Sequence, residues 1–478
     1  MTSFHQFHLD DFILKSLKEL NYKKPMEVQE KVIPCILNKK DAIVKSKTGS
    51  GKTASFAIPI CNEIIWEENQ AQALILTPTR ELAIQIQEDM VHIGLYKRLK
   101  TTALYGRTPY KTQLQELKQK VHAVVGTPGR VLDHIKRGSF ITNNIKYLVI
   151  DEADEMLNMG FVEVVKDIID SLPIERVNLL FSATMPNSIQ ELALSFMKEP
   201  MFIEIKDYTD INENIEHQLY FVDEKDKNDL LLSLLCCELP ESVIIFANTQ
   251  EKVNDIFHFL DKHKISCDYL HGGMLQEDRI RNIKDFKQGK YRVLVASDVA
   301  ARGIDIDSLT CVIHYELPFE KEKYVHRSGR TARINKKGKS IAFVCKYEKQ
   351  RVEELKDSYQ IQFDEKDKSA MLLLGVNEKS LKVLASHPKE KEDKYKMLKQ
   401  GVLRLYINGG KLKKIRSGDI VGAICEIDGV NSTDIGVIRI QDHVSYVEIL
   451  NHKGDIVLKN LKMIKKKNVK VELAKSED

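Results

Sequence analysis

Residues 41–53 read DAIVKSKTGSGKT. A short apolar, β-rich run passes into a loop with two glycines and then into an apolar helical stretch. Strand, Gly-rich loop and helix in this order make a phosphate-binding loop. Gly49 and Gly51 let backbone N–H groups wrap phosphate oxygens, and Ser46, Lys47, Thr48 and Ser50 complete the cradle. Lys52 is placed to reach the β- and γ-phosphates, and the Thr53 hydroxyl to ligate Mg²⁺. The helix N-terminus that follows favours anions. Ser46 stands where the strict pattern has glycine, but the later glycines and the GKT remain. A solvated Gly-rich turn would not need a strand before it and an apolar helix after it.

Similar runs recur outward from this stretch. ALILTP (73–78), HAVVGTP (122–128), YLVIDE (147–152) and NLLFSAT (178–184) form a first set. SVIIFANT (242–249), YRVLVASD (291–298), CVIHYELP (311–318) and SIAFVCK (340–346) form a second. Continuous apolar strands alternating with amphipathic helices predict parallel sheets covered on both faces. A polar stretch, KDYTDINENIEHQ (206–218), separates the sets. The chain therefore reads as an α/β domain (1–207), a linker (208–218), a second α/β domain (219–362), a charged linker (363–400) and a tail (401–478). The tail order β-α-β-β-α-β predicts a small α+β, ferredoxin-like or RRM-like sandwich.

The polar signatures follow the strands at their carboxyl ends, where parallel α/β sheets bind ligands. One of them raises a physical problem. YLVIDEADEML (147–157) ends a buried strand in Asp151, Glu152, Asp154 and Glu155. Repulsion and desolvation both oppose such a knot of acids. A bound nucleotide resolves it: Asp151 shares the Mg²⁺ with Thr53, and Glu152 orients and deprotonates a water at the γ-phosphate.

The second α/β domain has no GxxxxGK and is not expected to hold its own nucleotide that way. It has HRSGRTAR (326–333), with arginines at i, i+3 and i+6 that fall on one side of a helix. An arginine cluster supplied to a neighbour's phosphates is the arginine-finger arrangement. The bland alternative is a solvated basic helix face.

Composition sets outer limits. The net charge of the 478 residues is only +4, so any nucleic-acid surface must be local. The eight cysteines form no CxxC pair and read as buried free thiols, without zinc. The N-terminus lacks a basic leader pattern, and no apolar run approaches the ~20 residues of a membrane span. The expectation is a soluble, cytoplasmic monomer that does not engage membranes.

Taken together, the motifs of residues 1–350 resemble the DEAD-box family of ATP-dependent RNA helicases. PTRELA (78–83), TPGR (127–130), DEAD (151–154), SAT (182–184), FANT (246–249), HGGMLQEDR (271–279), SDVAARGID (297–305) and HRSGRTAR carry the resemblance, with Phe4 and NYKKPMEVQ upstream. It implies two tandem RecA-like domains that share one ATP site and close on it. It implies that Tyr22 stacks on adenine and Gln29 bonds its edge. Asp305 approaches the ribose, and Arg330 and Arg333 are the γ-phosphate fingers. Ser182, Ala183 and Thr184 couple nucleotide state to strand separation. Arg80, Thr127, Arg130, Gly272, Arg279 and Ser297 grip the RNA backbone. The chain departs from the family at Arg107, Ser297 and Ala332, where the family has Gly, Thr and Gly.

The tail resembles the C-terminal domain of the DbpA/YxiN subgroup, which binds a hairpin of 23S ribosomal RNA in pre-50S particles. Residues 401–470 hold 13 Lys and Arg against 7 Asp and Glu, a net +6 that fits phosphate contact. Lys411, Lys413, Lys414 and Arg416 are the candidate contacts, with a second cluster at 462–470. The RNP1 run is absent from HVSYVEIL (443–450), so base stacking across the sheet is not expected to be the main mode. The expected activity is RNA-dependent ATP hydrolysis that unwinds short duplexes. An ATP-gated clamp that seldom separates strands is the alternative, and a DNA helicase a further one.

Overall fold

A computed structural model describes residues 3–46, 49–205, 214–298, 309–331, 337–390, 395, 398, 400 and 401–474. The chain divides into two compact units, Met1–Ile205 with Asp393–Asp478, and Lys206–Glu392.

The first unit is built on seven parallel strands: β1 (Ala42–Lys45), β2 (Ala73–Leu76), β3 (Thr101–Leu104), β4 (Ala123–Gly126), β5 (Tyr147–Ile150), β6 (Val177–Ser182) and β7 (Met201–Glu204). They pair in the order β3-β4-β2-β5-β6-β1-β7. β2, β4, β5 and β6 are buried at every position. Helices cover both faces, which is why these strands read as unbroken apolar runs. The register fixes the consequence for function. Leu76 lies opposite Gly126 and Ile150, Ile150 opposite Leu180, and Lys45 opposite Ser182. The five polar signatures therefore leave the sheet along one edge.

The second unit repeats the plan with β8 (Ile215–Phe221), β9 (Val243–Ala247), β10 (Cys267–Leu270), β11 (Val293–Ser297), β12 (Cys311–His314), β13 (Gly338–Val344) and β14 (Phe363–Lys366), all parallel, in the order β10-β11-β9-β12-β13-β8-β14. β8 starts inside the stretch expected to be linker. It buries His217 and Gln218, and the His217 ring meets the Tyr324 hydroxyl at 2.9 Å. Polar residues buried this way hide a strand from a hydropathy pattern. The charged stretch 363–400 also differs from expectation. It carries β14 and the helices Lys368–Leu374 and Glu378–Ala385, whose Met371, Leu372, Leu381 and Leu384 pack on the second unit's core.

The tail is the expected sandwich. β15 (Leu403–Ile407), β16 (Ile435–Ile440), β17 (Ser445–Ile449) and β20 (Val471–Leu473) pair antiparallel in the order β16-β17-β15-β20. The helices Ser417–Cys425 and Gly454–Asn460 bury Ile420, Ile424 and Val457 against one face. A two-residue turn joins β18 (Met463–Ile464) to β19 (Lys467–Asn468).

Within the first unit the tail rests on the N-terminal domain. The Tyr395 ring stacks on His92 at 3.7 Å, and its hydroxyl donates to Asp89 at 2.8 Å. Leu398 and Leu450 join the domain's core. Lys15 donates to Asn451 at 2.6 Å, and Arg98 to the Ser432 carbonyl. Among the described residues no helix is long and apolar enough to cross a membrane.

Candidate nucleotide and RNA sites

The Gly-rich loop begins where β1 ends. Ser46 N–H donates to Ser182 O at 3.0 Å, which ties the loop to the adjacent β6. Gly49 and Gly51 have φ of +82° and +88°. A Cβ on Gly51 would sit 2.7 Å from both Gln29 Nε2 and Met26 Sδ. Only glycine suits that position. Gln29 is buried and doubly engaged: its Oε1 accepts from Met26 N–H at 3.0 Å and its Nε2 donates to Gly51 O at 3.3 Å. One amide N–H and one oxygen lone pair remain for a base edge. Tyr22 stands nearby, its ring edge-on to buried Phe4 at 6.1 Å. Lys52 opens the helix Lys52–Glu63, is buried, and donates to Ser46 O at 3.2 Å. Thr53 follows in the first turn. Lys47 and Thr48 lie outside the described residues.

Asp151 is buried at the end of β5, opposite this loop. Burial pushes its carboxyl up, and Lys52 and the Glu152 N–H, 3.0 Å away, pull against that. A divalent cation would hold it ionised. One carboxylate and one hydroxyl, Asp151 and Thr53, would offer the small oxygen set that suits Mg²⁺ when phosphates and waters supply the rest. The residues fit the ion. Glu152 has φ +55° and precedes the helix Ala153–Asn158. A left-handed non-glycine residue at a site edge is strain of the kind that functional positions store.

Asp154 resolves the rest of the acidic knot. Its Oδ2 accepts from both Thr184 N–H and Thr184 Oγ1, its Oδ1 from Glu155 N–H, and its own N–H donates to Ser182 Oγ at 3.3 Å. The acidic motif and the Ser182–Thr184 loop are one hydrogen-bonded piece, with Ala183 between. Sequence reading assigned roles to Asp151 and Glu152 and none to Asp154.

The candidate backbone-gripping residues of the N-terminal domain also converge. Arg80 starts a helix capped by Thr79, and Gly106 leaves room beside it: a Cβ there would lie 3.7 Å from Arg80 Nη2. Arg107 has φ +58°, a conformation glycine holds at no cost. Thr127 precedes the helix Pro128–Lys136 without a side-chain capping bond, and Arg130 on that helix reaches Thr108 O at 3.1 Å.

In the second unit, Gly272 and Ser297 leave the same sheet edge after β10 and β11, and Arg279 lies buried in the helix Gln276–Gln288. Arg327 and Arg330 of HRSGRTAR do not share one helical face. The helix Lys321–Ser328 stops at Gly329, whose N–H caps it on Val325 O. Arg327 turns inward and is buried. It pairs with Asp298, donates to Glu316 O at 2.8 Å and Asn248 Oδ1 at 2.9 Å, and covers the Phe246 ring. It holds FANT, Asp298 and its own helix together. Arg330 follows the helix end and is also buried. Asp305 and Arg333 lie outside the described residues.

In the tail, two lysine clusters far apart in sequence meet. Lys467 Nζ donates to Lys413 O, and Lys465 Nζ lies 3.5 Å from both Lys414 O and Asp419. Lys414, Lys465 and Lys466 all have positive φ. Lys411, Lys413, Lys414 and Arg416 thus share one end of the sandwich with Lys465, Lys466 and Lys467. That end is opposite the strand ends that touch the N-terminal domain. The sheet also holds an aromatic pair that single-strand reading missed. Tyr406 on β15 lies across from Tyr446 on β17 at 5.8 Å, and Arg404 covers the Tyr446 ring.

The comparisons agree with this geometry. The DEAD/DEAH box helicase family matches residues 26–192, the helicase conserved C-terminal domain 226–335, and the DbpA RNA binding domain 404–473. The ATP-dependent RNA helicase DbpA of Bacillus subtilis is 50% identical over 99% of this chain and 100% of its own length. The ATP-dependent RNA helicase CshA of Listeria monocytogenes is 43% identical over 72% of this chain and 66% of its own. The solved structure of S. cerevisiae Dbp5 bound to RNA and ADP BeF3 aligns with a TM-score of 0.70 at 29% identity, covering 81% of this chain and all of that one. A phosphate loop, an acidic motif bonded to the Ser182–Thr184 loop, and an RNA-binding tail describe one kind of protein: the chain belongs to the DEAD-box family of ATP-dependent RNA helicases, with a DbpA RNA-binding domain at its C-terminal end.

Proposed function

We propose that this helicase separates short RNA duplexes within 23S rRNA during large-subunit assembly, acting as a cytoplasmic monomer. The observation that carries the targeting is the meeting of the 411–416 loop with the Lys465–Lys467 turn. Two lysines in left-handed conformations at a hairpin tip, where Asn-Gly is favoured, cost conformational energy that solubility does not require. A phosphate-lined RNA hairpin gives that arrangement a purpose.

The chemistry follows from the chain's own groups. Tyr22 stacks on adenine, and the spare amide capacity of Gln29 reads its edge while holding Gly51. Backbone N–H groups around Gly49 and Gly51 and the Lys52 ammonium take the phosphates. Thr53 and Asp151 would hold Mg²⁺, which would supply neutralisation of the phosphate charge. Glu152 accepts a proton from water as its oxygen bonds to the γ-phosphorus, and the bond to the ADP oxygen breaks. Arg330 and Arg333 are the second unit's cations for the charge that develops there, and Asp305 meets the ribose. Loss of the γ-phosphate removes their partner. Asp154 then relays the change to Ser182 and Thr184.

The test is ATPase stimulation by 23S rRNA against an unrelated RNA, for the intact chain and for one ending before residue 401. The intact chain is expected to prefer 23S rRNA and the shortened one to lose the preference while keeping turnover at high RNA. Equal stimulation of the intact chain by both RNAs would overturn the targeting. Replacing Lys411, Lys413 and Lys414 by alanine should lower the salt slope of tail binding by up to about three.

A further inference from the structure

We propose that Gln113 is a positioning residue for Arg130, set by a one-directional hydrogen-bond relay that runs from Tyr110 through Ser139 and His134. It deepens the reading of Arg130 as an RNA-backbone contact and rests on it.

Gln113 is buried on the helix Tyr110–Leu117. Its Nε2 donates to Tyr105 O at 2.9 Å, which fixes the amide orientation. Oε1 is then an acceptor facing two donors, Arg130 Nη1 at 2.9 Å and His134 Nε2 at 3.2 Å. A flipped amide would put N–H against the guanidinium.

The acceptor decides the histidine tautomer. His134 is fully buried, and desolvation, helped by Arg130, holds it down to about 4, so it is neutral at working pH. Nε2 must carry the proton, because Oε1 can only accept. Nδ1 must then accept, from Ser139 Oγ at 2.9 Å. The Ser139 hydroxyl also lies 3.0 Å from His134 O, but that carbonyl already takes the Ser139 and Phe140 N–H groups. Nδ1 has no other donor, so the single hydroxyl proton belongs there. Tyr110, whose OH is 2.6 Å from Ser139 Oγ, therefore donates to it. The Tyr110 ring stacks on His134 at 4.2 Å and closes the assembly.

The relay ends on one amino group. Both hydrogens of Arg130 Nη1 are used, by Thr108 O and by Gln113 Oε1. That fixes the guanidinium plane. Nε and Nη2 carry no hydrogen bond among the described residues. They form the side fork that meets a phosphate with two parallel bonds.

The experiment measures ATPase against poly(U) concentration in the full chain. Gln113→Leu should raise the half-saturating poly(U) concentration about tenfold while kcat at saturation and KM for ATP hold, because a free guanidinium binds phosphate without preset geometry. The double variant with Arg130→Ala should be no worse than Arg130→Ala alone. An unchanged half-saturation point in Gln113→Leu, beside a raised one in Arg130→Ala, overturns the positioning role. No effect of Arg130→Ala overturns instead the reading of Arg130 as a contact. Should Gln113→Leu fail to fold, Ser139→Ala decides, since it removes the donor to Nδ1 and the acceptor of Tyr110 while leaving Gln113 and Arg130 in place. A rise of a few-fold supports the relay, and none overturns it.

Discussion

The backbone N–H and the hydroxyl of Thr184 both donate to one oxygen of Asp154, at 2.8 and 2.9 Å. The loop after β6 is thereby fastened to the helix that follows Asp151 and Glu152. A hydrogen bond to a charged partner contributes about 1.5–3 kcal/mol. Thr184→Ala removes the hydroxyl bond and leaves the backbone one. RNA-stimulated ATP turnover should stay within about threefold, and strand displacement should fall more than about tenfold. Side-by-side assays check this; equal losses would mean that Thr184 serves hydrolysis itself.

Gly51 makes a sharper demand. With φ at +88°, an L-residue costs about 1–2 kcal/mol before any contact is counted. The added Cβ also strikes the far ends of two flexible side chains, Gln29 and Met26. Those ends can move, so the fold should survive. What they leave is the loop and the base edge. Gly51→Ala should weaken binding of a fluorescent ATP analogue more than about tenfold with only a few degrees lost in Tm. Unchanged affinity would remove the loop from the nucleotide site.

In the two parallel sheets the sequence pattern exposed most central strands and hid the margins, together with β8 beside one of them. β3, β7, β10 and β14 are the four edge strands, and none stands out as an apolar run. β7 and β14 are exposed at most positions. An edge strand pairs on one side and is covered less, so its residues need not be uniformly apolar. The phosphate loop and acidic motif were legible because their chemistry fixes residue types at fixed spacing. Arg327 was not. A row of arginines carries no mark of which one turns inward to Asp298. Gln113 and His134 were invisible for a related reason: their roles depend on partners brought together only by folding. The Tyr406–Tyr446 pair sits on two strands some 40 residues apart, so neither strand alone displays it.

Buried neutral histidines predict an acid limit. Desolvation holds His122 and His134 in the first unit, and His217 in the second, down to about 4 from 6.5. Buried His314 is likewise held well below 6.5 by desolvation, with Arg327 adding to it. As pH falls below 6.5 the unfolded chain takes up protons that the folded chain refuses. Their stabilisation is complete above about pH 6.5 and is lost progressively towards pH 4, at up to roughly 3 kcal/mol each. Tm should fall steeply across that window. His217→Gln should shallow the fall in the second unit's transition. A Tm independent of pH between 6.5 and 4 would contradict the burial of these rings.

The tail's seat on the N-terminal domain is open to direct trapping. Tyr395 is a half-buried anchor: a stacked ring on His92 and a hydroxyl on Asp89. Burial and Asp89 together push the Tyr395 phenol far up, so it stays a donor at any working pH. Lys15 and Asn451, bonded at 2.6 Å, lie on the two sides of the contact. Cysteines placed at both positions should cross-link under mild oxidation in the full chain. Tyr395→Ala forfeits both the half-buried ring's packing and its hydrogen bond, and it should slow that cross-linking at least about tenfold. Tyr395→Phe keeps the stack and loses one bond of about 1 kcal/mol, so it should slow it only a few-fold. The graded order matters more than either rate. If all three proteins cross-linked equally, the tail would be held by its covalent tether alone. The lysine end would then have no fixed direction from which to present RNA to the phosphate-driven machinery.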